Sequence, residues 1–314
     1  MKLPAIFLLL LASTVLTAQD ARPPRRFELK PLSPRFHDLI APDARLTRVA
    51  GGFGFTEGPV WDPKGFVCVS DEVRNRIFRV FPDGRTETLL RIIDSDGSTF
   101  DRDHHFITTA SALRALIDVS PDGNYKVIAD RYEGRRFNSP NDVVLGPGGA
   151  LYFTDPTLDL PKGEKQELDF QGVFRLGPDG SVRLLIRDLE QPNGLAFSPG
   201  GKRLYVDDTS RKTIHVYDVT PDGGVANGRI FGREEGPPGS GSPDGMRVDS
   251  KGNLYVTGPY GIWIWDPAGN HLGTIALPET AANLCWGDAD SRTLYITATT
   301  SLYRIRAKVR GYIR

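Results

Sequence analysis

The sequence predicts an all-β chain folded as a six-bladed β-propeller, closed by an N-terminal strand that completes the last blade. Three observations carry this. An Asp, Asn or Glu stands five residues before a tight-turn tetrapeptide six times, at Glu57, Asp96, Asn141, Asn193, Asp244 and Asn283. The intervals between them are 39, 45, 52, 51 and 39 residues, the length of one propeller blade. The units carry short β-branched and aromatic runs bounded by Gly, Pro and Asp, without the 3.6-residue period of a helix. A second turn series then leads into an outer strand in five of the six units.

The strands follow in order. First strands are read at 59–61, 143–145, 195–197, 246–248 and 284–286. Second strands are read at 66–69, 151–153, 204–206, 254–256 and 294–296. Third strands lie at 77–80, 116–119, 173–176, 214–217, 262–265 and 302–305. The outer turns, such as Pro82-Asp-Gly84 and Pro178-Asp-Gly180, place Pro where φ is fixed and Gly where φ is positive. Unit six has no such turn and ends near residue 306 with three strands. Its fourth is expected from the alternating segment 45–49, which closes the ring and leaves no sheet edge open.

Gross composition agrees with one toroidal domain over residues 45–314. Formal net charge is zero and 25% of residues are charged. No basic block or basic-aromatic stripe is present, so nucleic acid and membrane surfaces are not expected partners. Residues 1–18 read as an export signal, with Lys2, an apolar core and a small-residue site at 16–18, giving a periplasmic or secreted protein. The apolar run is too short to span a bilayer. Residues 19–44 read as a lead-in carrying little regular structure. Cys68 and Cys285, the only cysteines, lie in apolar strand-like runs. An exported compartment permits their pairing, but two buried thiols fit the pattern better, and no Cys/His spacing suggests zinc.

The six polar residues stand where first strands begin, near one face of the ring and inside its channel. Long insertions fall on that face, at 130–140, 156–172 and 232–243, as expected around a shaped ligand site. Glu57, Asn141, Asn193 and Asp244 bring two carboxylates and two amide oxygens together. Such an all-oxygen set suits a hard divalent cation, which would relieve the repulsion between facing carboxylates. Other chemistries lack their motifs: there is no Gly-x-Ser-x-Gly elbow and no phosphate-binding glycine loop.

Several ordered motifs carry a resemblance. Phe55-Thr-Glu-Gly-Pro-Val-Trp61, Asn138-Ser-Pro-Asn-Asp-Val-Val144, Tyr152-Phe-Thr-Asp-Pro156, Gln191-Pro-Asn-Gly-Leu-Ala-Phe197 and Ser242-Pro-Asp-Gly-Met246 are similar to the SMP-30/gluconolactonase/luciferin-regenerating-enzyme family, over about residues 45–306. The resemblance implies a six-bladed propeller that hydrolyses lactones with a divalent metal in its channel. Ca2+ is the foremost expectation, with Zn2+, Mn2+ and Mg2+ as alternatives. Implied metal ligands are Glu57, Asn193 and Asp244, with Asn141 close enough to ligate or to touch substrate. Asp244 is the implied catalytic base. Arg136, Asn138 and Asn141 are expected to bind sugar hydroxyls, and Asp155 to support the site from behind. In unit two the family's usual Asn-Gly and Glu-His are replaced by Asp96-Gly97 and Thr108-Thr-Ala110, so substrate preference is expected to differ there.

The expected function is metal-dependent hydrolysis of a sugar lactone or related small cyclic ester, by a monomer or dimer. The alternatives are a non-catalytic propeller that binds a glycan or protein around a structural metal, and a related propeller enzyme of different chemistry.

Overall fold

The computed structural model describes residues 25–313. The export-signal segment lies outside the described residues, as do residues 19–24 of the lead-in. Six antiparallel sheets surround one axis; the first four run in chain order from an inner to an outer strand, and the last two take an outermost strand from the N-terminal segment. The inner strands are Thr56–Asp62, Ser95–Phe100, Val143–Leu145, Pro192–Phe197, Met246–Val248 and Ala281–Gly287. Every first, second and third strand read from the sequence falls within an observed strand of that position or differs from it by a residue or two. Tight turns of the expected kind join them, with Gly65, Gly84, Gly123, Gly180 and Gly269 at positive φ.

Ring closure occurs as expected. Thr47–Gly51 pairs antiparallel with Ser301–Arg306 and completes blade six. The bulk of the apolar burial lies between neighbouring blades. One such layer joins Val67, Val69 and Phe78 of blade one to Cys285, Tyr295 and Leu302 of blade six. Both cysteines are free and buried.

The lead-in is more regular than its sequence suggests. Glu28–Pro31 forms a strand that adds to the outer strand His271–Ala276, giving blade five a fifth strand. A short 3-10 turn, Pro34–Asp38, then buries Phe36 against blade five. Arg35 pairs with Asp266 at 2.6 Å, and the Lys308 amine donates to the His37 carbonyl at 2.9 Å. Strand formation here comes from pairing with a free sheet edge, a tertiary effect that weak local alternation does not reveal. Among the described residues no helix is long and apolar enough to cross a membrane.

Candidate active site

Each blade junction around the upper channel carries a contact made by a repeat-register residue or its immediate neighbour. The Asn283 amide donates to Glu57 Oε2 at 3.0 Å, joining blade six to blade one. The Asn141 amide donates to Asp96 Oδ2 between blades two and three, where Gly97 N–H also meets the Asn141 carbonyl at 2.8 Å. Between blades three and four the Leu195 N–H serves the Asp142 carboxylate. Gly245 N–H reaches the Ala282 carbonyl at 2.9 Å between blades five and six. The remaining junctions are backbone contacts so close that only glycine fits. A Cβ on Gly58 would lie 1.8 Å from the Asp96 carbonyl oxygen, and one on Gly194 1.8 Å from that of Asp244.

Bulges help aim these side chains. In blade one, Glu57 pairs with Ser70 and Val60 with Cys68, so three steps on the inner strand face two on its neighbour. Blades two and four repeat this between Ser95 and Ser98 and between Pro192 and Leu195, and blade six has a break between Ala281 and Asn283. A bulge at this point shifts the register and helps turn the polar residue toward the axis. In blades three and five the ladder begins only after Asn141 and Asp244.

Glu57, Asp96, Asn141, Asn193 and Asn283 are all buried, whereas Asp244 keeps partial exposure to the channel. The mouth above is acidic. Burial first, and then neighbouring carboxylates, push Glu57 up to about 8 and Glu72 up to about 9. Asp244 and Asp96 are driven well above the usual carboxylate range by burial, with Glu57 the largest charge acting on each. Carboxyl groups so crowded and so far from water favour the protonated form unless a cation offsets their charge.

That donor set fits a divalent cation. Glu57 and Asp244 supply two carboxylates in conflict, and Asn141 and Asn193 supply amides. The Asn141 amide nitrogen is taken up by Asp96, which leaves its carbonyl oxygen for the axis. The set is mixed: among the described residues no three His, Cys, Asp or Glu side chains are grouped to hold a metal by themselves. Any ion here would depend on the asparagines and on water to fill its shell.

The other sequence-derived residues are placed as follows. Arg136 is turned to the 156–172 loop: its N–H donates to Glu167 at 2.8 Å, its guanidinium to the Leu113 carbonyl at 3.2 Å, and Glu164 lies 3.6 Å away. Asn138 is fully buried and donates to the Asp155 and Phe170 carbonyls, both at 3.0 Å. Asp155 accepts the Asn138 N–H at 2.8 Å, and burial pushes it up to about 8. Asp71 and Asp208 stand at the same place in blades one and four and also cap the chain leading to the inner strand. Asp155 thus belongs to a structural series that fixes the backbone approaching Asn141.

Sequence reasoning missed Arg247. Its guanidinium lies in the channel below the ring, 3.7 Å from Asp142. The signal was available: the residue three beyond each register position is Val60, Thr99, Val144, Ala196, Arg247 or Trp286, and only one is charged. These residues line a small cavity of about 130 Å3 whose far end is closed by Tyr312 and Ile313. A larger cavity of about 810 Å3 lies away from the ring, between the outer parts of blades one and two. A counterpart of about 470 Å3 lies between blades two and three; both are wedges left where blades splay outward.

Residues 55–300 match the family model described as an SMP-30/Gluconolactonase/LRE-like region. The chain is 34% identical over 306 residues to a gluconolactonase of Zymomonas mobilis, covering 89% of this chain and 86% of that protein. It is 30% identical over 254 residues to a pentonolactonase of Haloferax volcanii, covering 77% and 80%. A solved gluconolactonase from Xanthomonas campestris superposes with a TM-score of 0.82 at 30% identity, over 91% of this chain and 99% of that one. The chain is therefore a member of the SMP-30/gluconolactonase/LRE-like family.

Proposed function

We propose that this protein hydrolyses the ester of a sugar lactone or a related small lactone, with a divalent cation held by Glu57, Asn141, Asn193 and Asp244. The observation that carries the reading is the convergence of the repeat-register carboxylates and amides at the upper channel, in a chain whose relatives over most of their length are named as lactonases. When bound, the cation would polarise the lactone carbonyl and offset the negative charge that grows on its oxygen.

The chain's own residues do the rest. Asp244, partly open to the channel and kept ionised when the cation is bound, would take a proton from the attacking water as the water oxygen bonds to the carbonyl carbon. The ring C–O bond then breaks, and the proton passes to the departing alkoxide, leaving a hydroxy acid. Asn141 presents its carbonyl oxygen because Asp96 occupies its amide. Asn283 and Gly58 N–H hold Glu57 Oε2, fixing which oxygen can face the axis. Of the sugar-binding candidates, Asn141 faces the channel. Arg136 and Asn138 act by shaping the loops around it.

Ca2+ is the proposed ion, since oxygen ligands with amides and water suit it; Zn2+, Mn2+ and Mg2+ are the alternatives. We also propose export to the periplasm or exterior, on the strength of residues 1–18. The test is a panel of lactones run against a series of these metals on the signal-free protein. Turnover of sugar lactones with at least one metal supports the reading. Metal-dependent melting with no turnover across the panel would instead favour a non-catalytic propeller with a structural ion.

A further inference from the structure

The wedge between blades one and two is where the repeat is broken, and the residues that break it line the same cavity. Where the second strand opens, blades three to six carry Leu151, Leu204, Leu254 and Leu294, but blades one and two carry Phe66 and Phe106. The outer turn opens on Ser120, Gly177, Thr220 or Asp266, small or polar as that corner prefers. In blade one the same backbone turn opens on Phe81. The first turn ends on glycine in four blades and on Ser291 in blade six; in blade two it ends on His104, at a φ of +64°. That conformation is costly for a residue with a side chain and persists where the surroundings demand it. The His104 imidazole lies flat on Phe100, with centroids 4.2 Å apart and planes 6° from parallel. Phe66, Phe81, Phe100, Phe106 and His104 all line the cavity of about 810 Å3. Its counterpart between blades two and three presents Gly149 where His104 stands, and no phenylalanine.

The rim adds charge of one sign. Each acid lining the cavity already has a basic neighbour: Asp62 lies 3.4 Å from His104, Glu87 meets Arg85, and Asp118 meets Lys126 at 2.9 Å. Lys64 and Arg79 also line it, and among the described residues neither pairs with a carboxylate. The Arg79 guanidinium lies 5.6 Å over the Phe66 ring and donates across the wedge to the Pro121 carbonyl at 2.9 Å. An aromatic floor with a few polar groups at its edge is the usual make-up of a small-molecule pocket. We propose that this wedge is a second binding site, apart from the channel, for a small aromatic carboxylate. Its ring would sit among Phe66, Phe81 and the Phe100–His104 stack, and its carboxylate would meet Lys64 and Arg79. Ring contacts favour an aromatic occupant, and the two unpaired cations favour an acid over a neutral analogue. His104 then has a role that glycine could not fill, as part of the aromatic wall. The site is remote from the ring and stands independently of the lactonase reading.

The test is calorimetric titration of 2-naphthoate and of neutral 2-naphthamide into signal-free protein, treated with chelator so that no ion in the channel can hold the carboxylate. Wild type should bind 2-naphthoate saturably at one site per chain, and 2-naphthamide more weakly. Phe81→Ser, which installs the blade-two residue, should weaken 2-naphthoate about tenfold through lost aromatic contact. Lys64→Ala, on an exposed turn where folding is not at risk, should weaken 2-naphthoate about threefold and change 2-naphthamide little. No saturable binding to folded wild-type protein at millimolar 2-naphthoate would overturn the proposal. So would wild-type affinity for 2-naphthoate in both variants, which would put the bound ring elsewhere. Equal binding of acid and amide by wild type would overturn the assignment of a carboxylate to Lys64 and Arg79.

Discussion

The two halves of the channel are built from the same six strands and have opposite chemistry. The upper half is a ring of carboxylates and amides with an acidic mouth. The lower half, three residues further along, is mostly apolar and carries one guanidinium. It is closed by the C-terminal segment, where Tyr312 N–H meets the Val248 carbonyl at 2.9 Å and Gly311 N–H meets the Ser291 carbonyl at 2.6 Å. The contrast teaches where a propeller places its chemistry. Regular pairing below packs the blades together, while bulges and late-starting ladders above release the polar residues to face one another. Arg247 is the link between the halves, a cation set under a site that otherwise has an excess of anions.

The contrast can be broken from above most severely. Asp244→Ala should lower kcat about a thousandfold, within the usual range for losing a positioned base, with the fold intact by circular dichroism. Retained turnover would remove Asp244 from the mechanism. From below, Arg247→Met leaves buried Asp142 without its countercharge. The ion pair is loose, so a loss of about 2–3 kcal/mol is expected in urea unfolding. A variant as stable as wild type would show that Asp142 needs no cation beneath it. At the junction between blades, Gly194→Ala forces a Cβ onto the Asp244 carbonyl and should cost about 1–3 kcal/mol, with weakened turnover as Asp244 shifts. Unchanged stability and rate would mean that the ring is looser than its contacts imply.

A smaller, graded effect is expected with pH. Glu57 and Glu72 sit in the folded chain at about 8 and about 9, above their unfolded values. Folding then favours the protonated forms. Metal-free protein should be most stable below the unfolded carboxylate range, near pH 4, so far as these two groups decide it. That stability declines as pH rises through about 8–9. Melting curves at fixed ionic strength test the slope, and a divalent ion should flatten it. The smallest effect is at the closed end: Tyr312→Ala should cost about 1 kcal/mol or less and leave turnover alone. A large loss of activity there would mean that the lower channel takes part in the chemistry.

The sequence made the ring legible because a repeat converts distant residues into equivalent positions. Glu57 and Asn193 are unremarkable alone and informative together. Closure by the segment before blade one was legible too, since blade six lacked a fourth strand. Other features were hidden for physical reasons. The Glu28–Pro31 strand exists only because blade five offers an open edge. The bulges that aim the ring leave no mark in composition. Arg136 was expected to bind sugar hydroxyls, yet Glu164 and Glu167, about thirty residues away, claim it. Arg247 was readable in principle, as the one charge at an otherwise uncharged position.

The most direct test of the central claim is calorimetric titration of Ca2+ and its alternatives into chelator-treated, signal-free protein, beside a Glu57→Gln, Asp244→Asn double variant. The account predicts one ion bound per chain, with binding lost in the variant. An absence of binding by wild type, or equal binding by both proteins, would contradict it.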